Sequence, residues 1–381
     1  MPFAQVDFAE AQIDQTVARA IILKGADEAP IISALLALPG ATQESSPEFK
    51  WFEDGFTAER TQINNGGAAY DASTTSLVVD NGALYKSGDV LYLETSTTGE
   101  RVLVTAVVGN TLTVTRGFGG TTAHASGVAD DAYLRFAGNV RGEGSDAPAA
   151  THTAKTEYTN YCQHFKETVE LTGRADRTPT KTEAELAYQR MKAMKRLMIS
   201  GDRAFIWGAK NKTVVGADSR IAHTTDGFQK VLSLNTNING AMTKVQFNAF
   251  ARDVFRYTQG KKLLFAGSIL HEAIHTLAEN KLQTRQGDTA FGLRLTEVVT
   301  PAGVFDLIRN PTLDNGFGGM GIVIDPNHVR LHHTKGKLPQ INPIVQPSGG
   351  DRVAELAEME LGLEYGQESA HGIIRGVTGA A

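Results

Sequence analysis

The longest run of helix-period patterning extends from Thr180 to Gly208. Ala187, Met191, Met194 and Met198 recur at spacings of 4, 3 and 4, with Phe205 two turns further on, and this predicts one apolar stripe along a helix. Thr180 and Thr182 are candidate N-caps answered by Glu183 or Glu185, Gly201 is a candidate bend, and Gly208 is the stop. At the usual rise per residue such a helix is about 40 Å long, the length of a spine rather than of a local packing element. Helix and strand patterns alternate after it. Val245–Thr258 reads as a helix with Phe247, Phe250 and Val254 on one side and Gly260 as its stop, Lys262–Ala266 as a strand, and Ile269–Asn280 as a helix capped by Ser268. Strands are expected at Leu293–Val299, Val304–Ile308, Gly321–Ile324, Val329–His332 and Ala357–Tyr365, with Ile373-Ile374 near the end.

The pattern before the spine is different. Residues 1–48 form an arm, partly helical at Val17–Lys24 and Pro30–Leu38, broken by Gly25, Pro39-Gly40 and Ser45-Ser46-Pro47. Between Asn64 and Asn139 five short strands follow one another: Leu77–Val79, Val90–Leu93, Arg101–Val108, Thr111–Thr115 and Tyr133–Phe136. Gly109-Asn110 supplies a two-residue hairpin loop. Such a module suggests a small barrel or sandwich. Extended segments flank it, Phe49–Ile63 before and Tyr133–Tyr161 after, so it reads as an insert in the tip of a two-stranded arm. An arm of that length has few partners within one domain, which suggests a protein that finishes burying its surface against copies of itself.

Composition narrows the class. The 381 residues are 41% hydrophobic and 21% charged, ordinary for a soluble globular protein, and 39 glycines fit many turns. No apolar run approaches the roughly 20 residues of a membrane span. The acidic start, Met1 to Glu10, is unlike a signal peptide. The single cysteine, Cys162, leaves no internal disulfide and no cysteine-built zinc site, which fits a reducing cytoplasm. A net charge of −5 argues against general nucleic-acid binding. Residues 1–60 hold 10 acidic and 4 basic side chains, whereas residues 150–262 hold 19 basic and 10 acidic, so the two regions can attract one another between subunits.

The order of parts is arm, extended loop, long spine helix, α/β region and return strands. In that order the chain resembles the major capsid (major head) proteins of tailed bacteriophages, the HK-97-like fold. The residues that carry the resemblance are Phe49–Phe56, the spine Thr180–Gly208, Leu263–Gly267 leading into a helix, and the late Val323–Pro326 and Glu364–Gly376 segments. The resemblance implies an α+β fold. Its parts are an N-terminal arm at 1–48, an extended loop at 49–65 and 139–165, an inserted all-β domain at 66–138, a peripheral domain at 166–231 and 326–381 with spine helix 180–208, and an axial α/β domain at 232–325. It also implies a structural subunit of an icosahedral head, self-assembling as hexamers and pentamers around double-stranded DNA, with no catalytic site, no cofactor, no sequence-specific DNA contact and no membrane. The implied location is the virion, assembled in the host bacterial cytoplasm, with scaffold, portal and decoration proteins as further partners. Assembly contacts are expected at Trp51, Phe52 and Phe56, and where the acidic arm meets Arg190, Lys192, Lys195 and Arg196.

Two motifs point to chemistry instead. His271-Glu272-Ala-Ile-His275 matches the zincin pattern, in which two imidazoles at i and i+4 hold zinc and the Glu is the general base of a metallopeptidase. The extended pattern would need Gly at position 278 and His at 281, where this chain has Ala278 and Lys281, and Glu297 reads as part of a strand. The competing reading is an amphipathic helix with Leu270, Ile274 and Leu277 inward and no metal held by His271, Glu272 or His275. Gly316-Phe-Gly-Gly-Met-Gly321 is formally GxGxxG, but it opens a strand, whereas the phosphate-cradling version opens a helix. Of the remaining candidates, Cys162 is expected to be a buried thiol and His332-His333 to face solvent. A glycan-binding tail or decoration protein is a third reading, based on the insert alone.

Overall fold

The structure, a computed structural model, describes residues 29–38, 40–55, 60–96, 99–124, 128–144, 155–174, 185–215, 219–279, 284–286, 296–344 and 351–381. The expected helix at Val17–Lys24, Phe56, Lys281 and the cap candidates Thr180, Thr182 and Glu183 lie outside these residues. Along the chain come α1 (Pro30–Ala37), β1 (Thr42–Glu44), β2 (Glu48–Glu53), β3 (Arg60–Gln62), β4 (Ser76–Val78), β5 (Asp89–Leu93), β6 (Arg101–Val108), β7 (Thr111–Thr115) and β8 (Tyr133–Asn139). Next are β9 (Thr156–Tyr161), β10 (Gln163–Thr172), α2 (Glu185–Trp207), β11 (Asn211–Val215), β12 (Arg220–Thr224), α3 (Phe228–Val231), β13 (Asn235–Met242), α4 (Lys244–Val254), β14 (Lys262–Ala266) and α5 (Ser268–Glu279). The rest are β15 (Thr284–Gln286), β16 (Thr296–Val299), β17 (Val304–Arg309), β18 (Gly321–Ile324), β19 (Val329–Thr334), β20 (Gln340–Pro343), β21 (Arg352–Tyr365) and β22 (Gly372–Ala380). The chain forms two units, Met1–Trp51 with Glu157–Ala381, and Phe52–Thr156.

Among the described residues the first unit holds two large sheets besides the β11–β12 hairpin. One runs β1-β19-β21-β10, with β20 also paired to β21; the other runs β13-β22-β18-β14-β17-β16-β15. The second sheet is buried on both faces at its centre. Leu263 and Phe265 of β14 join the core beneath α2, while Leu264 and Ala266 join the core beneath α4 and α5. This explains why β14 reads as a continuous apolar run rather than an alternating one. Helix α4 opens on a capping box, in which the Thr243 side chain accepts from the Gln246 amide and Gln246 answers the Thr243 amide. No helix among the described residues is long and apolar enough to cross a membrane.

Helix α2 packs against β10, β21 and α1. Its inward face differs from the expected stripe. Ala193, Met194, Leu197, Met198, Phe205 and Ile206 are buried, whereas Ala187 is exposed and Met191 only half-buried. Helix α1 lies on the spine near Gly201. A Cβ at Gly201 would stand 2.3 Å from Ile32 Cδ1 and 2.6 Å from Met359 Cε, so the missing side chain lets α1 and β21 approach, and the helix runs through Gly201 unbroken.

The second unit is a six-stranded antiparallel sheet in the order β3-β8-β5-β6-β7-β4. Its first and last strands also meet. Ile63 bridges Val79, the Asn64 amide donates to the Val78 carbonyl and the Asp80 amide to the Gln62 carbonyl, both at 3.0 Å. The sheet therefore closes into a small barrel, filled by Ile63, Leu77, Leu91, Val104, Leu112 and Leu134, all fully buried. Six strands stand where five were expected, because β3, Arg-Thr-Gln, has no apolar alternation to announce it. Its pairing, Arg60 with Arg135 to Gln62 with Tyr133, carries this unit beyond residues 66–138.

Candidate functional site

Strand β2 pairs with β9, and its two faces have different fates. Phe49 and Trp51 point into the first unit. Trp51 is 9% exposed, with its ring edge-on to Tyr365 at 5.1 Å and stacked near Tyr158 at 5.8 Å. Trp51 was expected to cover a neighbouring subunit; it is spent on its own core instead. Phe52, on the opposite face, is 62% exposed. Other large apolar side chains left exposed include Val214, Val215 and Ile221 on the β11–β12 hairpin, which the sequence patterning missed because the hairpin is mostly polar.

The basic residues of the spine also divide. Arg190 forms a bidentate pair with Glu355 of β21, and Arg196 Nε lies 2.7 Å from Glu167 of β10, so both hold the spine to its own sheet. Lys192 sits over the Tyr188 ring at 4.4 Å from its centroid and is exposed. Lys195 is half-buried.

The HExxH residues lie on α5. Leu270, Ala273, Ile274 and Leu277 are buried beneath it, Glu272 is exposed, and the His271 and His275 rings are 4.6 Å apart between centroids. Burial holds the His271 imidazole below the usual histidine range; His275 and Arg309 push the same way and Asp314 opposes them. Among the described residues no group of three or more His, Cys, Asp or Glu side chains is placed to hold a metal ion. The glycine motif leads into β18, and Gly319 stands where a Cβ would meet the Val377 carbonyl at 1.9 Å, so this glycine serves close backbone packing against β22. Cys162 is buried, and burial pushes its thiol up to about 12. His332 is the clear correction among the histidines: expected at solvent, it is 6% exposed.

A family model describing the SU10 major capsid protein matches residues 4–378. The chain belongs to the SU10 major capsid protein family. It is a structural shell subunit that assembles with copies of itself into a capsid, and its place is the virion. The order of elements expected of an HK-97-like chain is present in this capsid protein: the spine α2, the α/β sheet with α4 and α5, and the return strands β19 to β22. Several solved structures are similar. A chain of Mycobacterium phage Bobi has 9% identity and a TM-score of 0.45, with 90% of this chain and 89% of that chain covered. The SrpI encapsulin complex from Synechococcus elongatus PCC 7942 gives 9% identity and a TM-score of 0.43 over 59% of this chain and 78% of that one. The capsid of the empty GTA particle gives 16% identity and a TM-score of 0.39 over 64% and 81%. No curated protein sequence matches this capsid protein.

Proposed function

We propose that the protein builds an icosahedral phage head from hexamers and pentamers of itself, closing around double-stranded DNA without reading its sequence. What carries this reading is the match of the capsid family over residues 4–378. In this reading the first unit supplies a peripheral part, spine α2 with the β10–β21 sheet, and an axial part, the seven-stranded sheet with α4 and α5. The barrel is an insertion in the extended loop. Exposed Phe52, together with Lys192 and Lys195, meets neighbouring copies, while Arg190 and Arg196 brace the spine internally. Val214, Val215 and Ile221 join these contacts, because exposed apolar side chains grouped on a hairpin are otherwise an aggregation hazard. Assembly takes place in the host cytoplasm, with scaffold, portal and decoration proteins as further partners. The subunit performs no catalysis, and His271, Glu272 and His275 are helix residues of the axial part. Electron microscopy of the purified protein tests both halves of the proposal. Closed shells are expected, in equal yield from wild type and Glu272→Gln. Failure to form shells overturns the first half; one zinc per chain, lost in His271→Ala, overturns the second.

A further inference from the structure

Strand β10 is the border of the β1-β19-β21-β10 sheet, ten residues paired with β21 in one continuous register from Gln163 opposite Leu361 to Thr172 opposite Arg352. Its neighbour shows which way its backbone groups turn. The Glu360 amide donates to the Lys337 carbonyl and the Ile344 amide to the Ala354 carbonyl, so the even-numbered residues of β21 bond away from β10. The odd-numbered ones bond toward it, and their register partners are the odd-numbered residues of β10. The Gly173 amide, donating to the Asp351 carbonyl, continues that series. Lys166, Thr168 and Glu170 therefore turn both N–H and C=O outward. Their side chains are exposed, and among the described residues nothing pairs with those backbone groups. Phe165 and Val169 are buried and Glu167 pairs with Arg196 of the spine, so the spine covers the opposite face. The β11–β12 hairpin flanks the start of β10, where the Thr225 amide donates to Gln163 Oε1 at 3.2 Å, but it forms a separate sheet.

A regular border strand is a template for another strand, and proteins usually blunt it with proline, a bulge or charge. Strand β10 has no proline and no bulge. Its charges are arranged for one particular partner, which is β10 itself. In an antiparallel pairing about a two-fold axis through Thr168, Thr168 faces Thr168, and Lys166 and Glu170 of each copy face Glu170 and Lys166 of the other. Residues that turn their backbone groups outward then stand opposite one another, as a hydrogen-bonded antiparallel pair requires. Two-fold registers centred on Lys166, Glu167 or Glu170 instead set like charges face to face, which is destabilising. The sequence of the border thus selects one self-complementary register.

We propose that β10 is a docking edge for β10 of a second copy, joining the two sheets across a two-fold axis at Thr168. The inference rests on the reading of the chain as a shell subunit and says where two copies meet. Contacts around a ring of five or six repeat head to tail, whereas a two-fold contact uses one patch on both partners. The β10 edge therefore joins a subunit of one ring to a subunit of the next. Main-chain hydrogen bonds supply the attachment, and the Lys166–Glu170 pairs fix its register.

The test combines sedimentation velocity with amide hydrogen exchange on the full chain, in dissociated and associated samples. In dissociated subunits the amides of Lys166, Thr168 and Glu170 should exchange fast and those of Glu167 and Val169 slowly; on association the first three should slow at least about tenfold. Lys166→Glu and Glu170→Lys should each weaken association at least about tenfold, and the double exchange should restore it, because opposite charges face one another again. Thr168→Pro removes an outward amide and no bond to β21, so it should fold and also associate at least about tenfold more weakly. A double exchange no better than the single ones overturns the proposal. Shells whose Lys166, Thr168 and Glu170 amides exchange as fast as in free subunits overturn it while the shell reading stands. Pairs of subunits with those amides protected, but no shells, support it while the shell reading falls. A wild type that remains monomeric overturns both.

Discussion

Asp202 shows how one residue can tie distant parts of the chain together. Its Oδ1 accepts from the amides of Ile31 and Ile32 at 3.0 and 3.2 Å, and its Oδ2 from Asn310 Nδ2 at 3.3 Å. Helix α1 has Ala29 at its N-cap, which offers no side-chain acceptor, so the spine supplies the missing cap from another part of the chain. Burial nevertheless outweighs these hydrogen bonds and raises the carboxyl to about 6. The folded-state value lies above that of an unfolded Asp, about 3.9. The stability it contributes is therefore complete below about pH 4 and lost as pH rises through about 6. Between pH 4 and pH 7 the wild type should lose about 2 kcal/mol relative to Asp202→Asn, which keeps an acceptor for the two amides. Urea unfolding of unassembled subunits at the two pH values checks this; parallel behaviour of the two proteins would show that the carboxyl is not the cause. Nothing in the sequence around Asp202 announces the role, because its partners are brought to it only by the packing of α1 and Asn310 on the spine.

Elements were legible where a single pattern sufficed. The spine, β14, α5 and the four central barrel strands β5 to β8 follow from apolar periodicity; the helix expected at Val245–Thr258 is present as α4, but that reading passed over the Thr243–Gln246 box at its start and overran its end. Strands β10, β11 and β13 were not legible, since polar residues dominate them and their neighbours decide their state. The face of a known element is a harder question than its existence. On β2 the alternation separates Phe49 and Trp51 from Lys50 and Phe52, but only Tyr365 shows which pair turns inward. On the spine two stripes overlap at Met194 and Met198, and the packing of β10, β21 and α1 against it leaves Met191 at the border. Met198→Asp should therefore block folding, because an unpaired carboxylate replaces a side chain 1% exposed, a cost of several kcal/mol. Met191→Asp should fold, with a loss of roughly 1 kcal/mol. Soluble yield and urea midpoints of the two variants separate the two faces.

At the scale of the whole chain, the barrel is a unit with its own core, and the strand pair β2–β9 is where the chain leaves the first unit and returns to it. Paired strands bring the two ends of the intervening segment side by side, which is the geometry that tolerates excision. The position of the cut then decides the outcome. Replacing residues 66–138 with a short Gly/Ser linker removes β4 to β7 and nearly all of β8. It strands β3 and leaves Ile63, fully buried in the barrel, without a core. Replacing residues 55–155 removes the barrel entire and keeps both strands of the β2–β9 pair. The longer deletion should therefore give the better-behaved protein: a cooperative unfolding transition near that of the wild type, with Trp51 still buried against Tyr365. The shorter deletion should aggregate. Circular dichroism melts and light scattering on the two variants decide between them. If the longer deletion also fails to fold, the first unit depends on the barrel for its stability, and the two units are one folding domain.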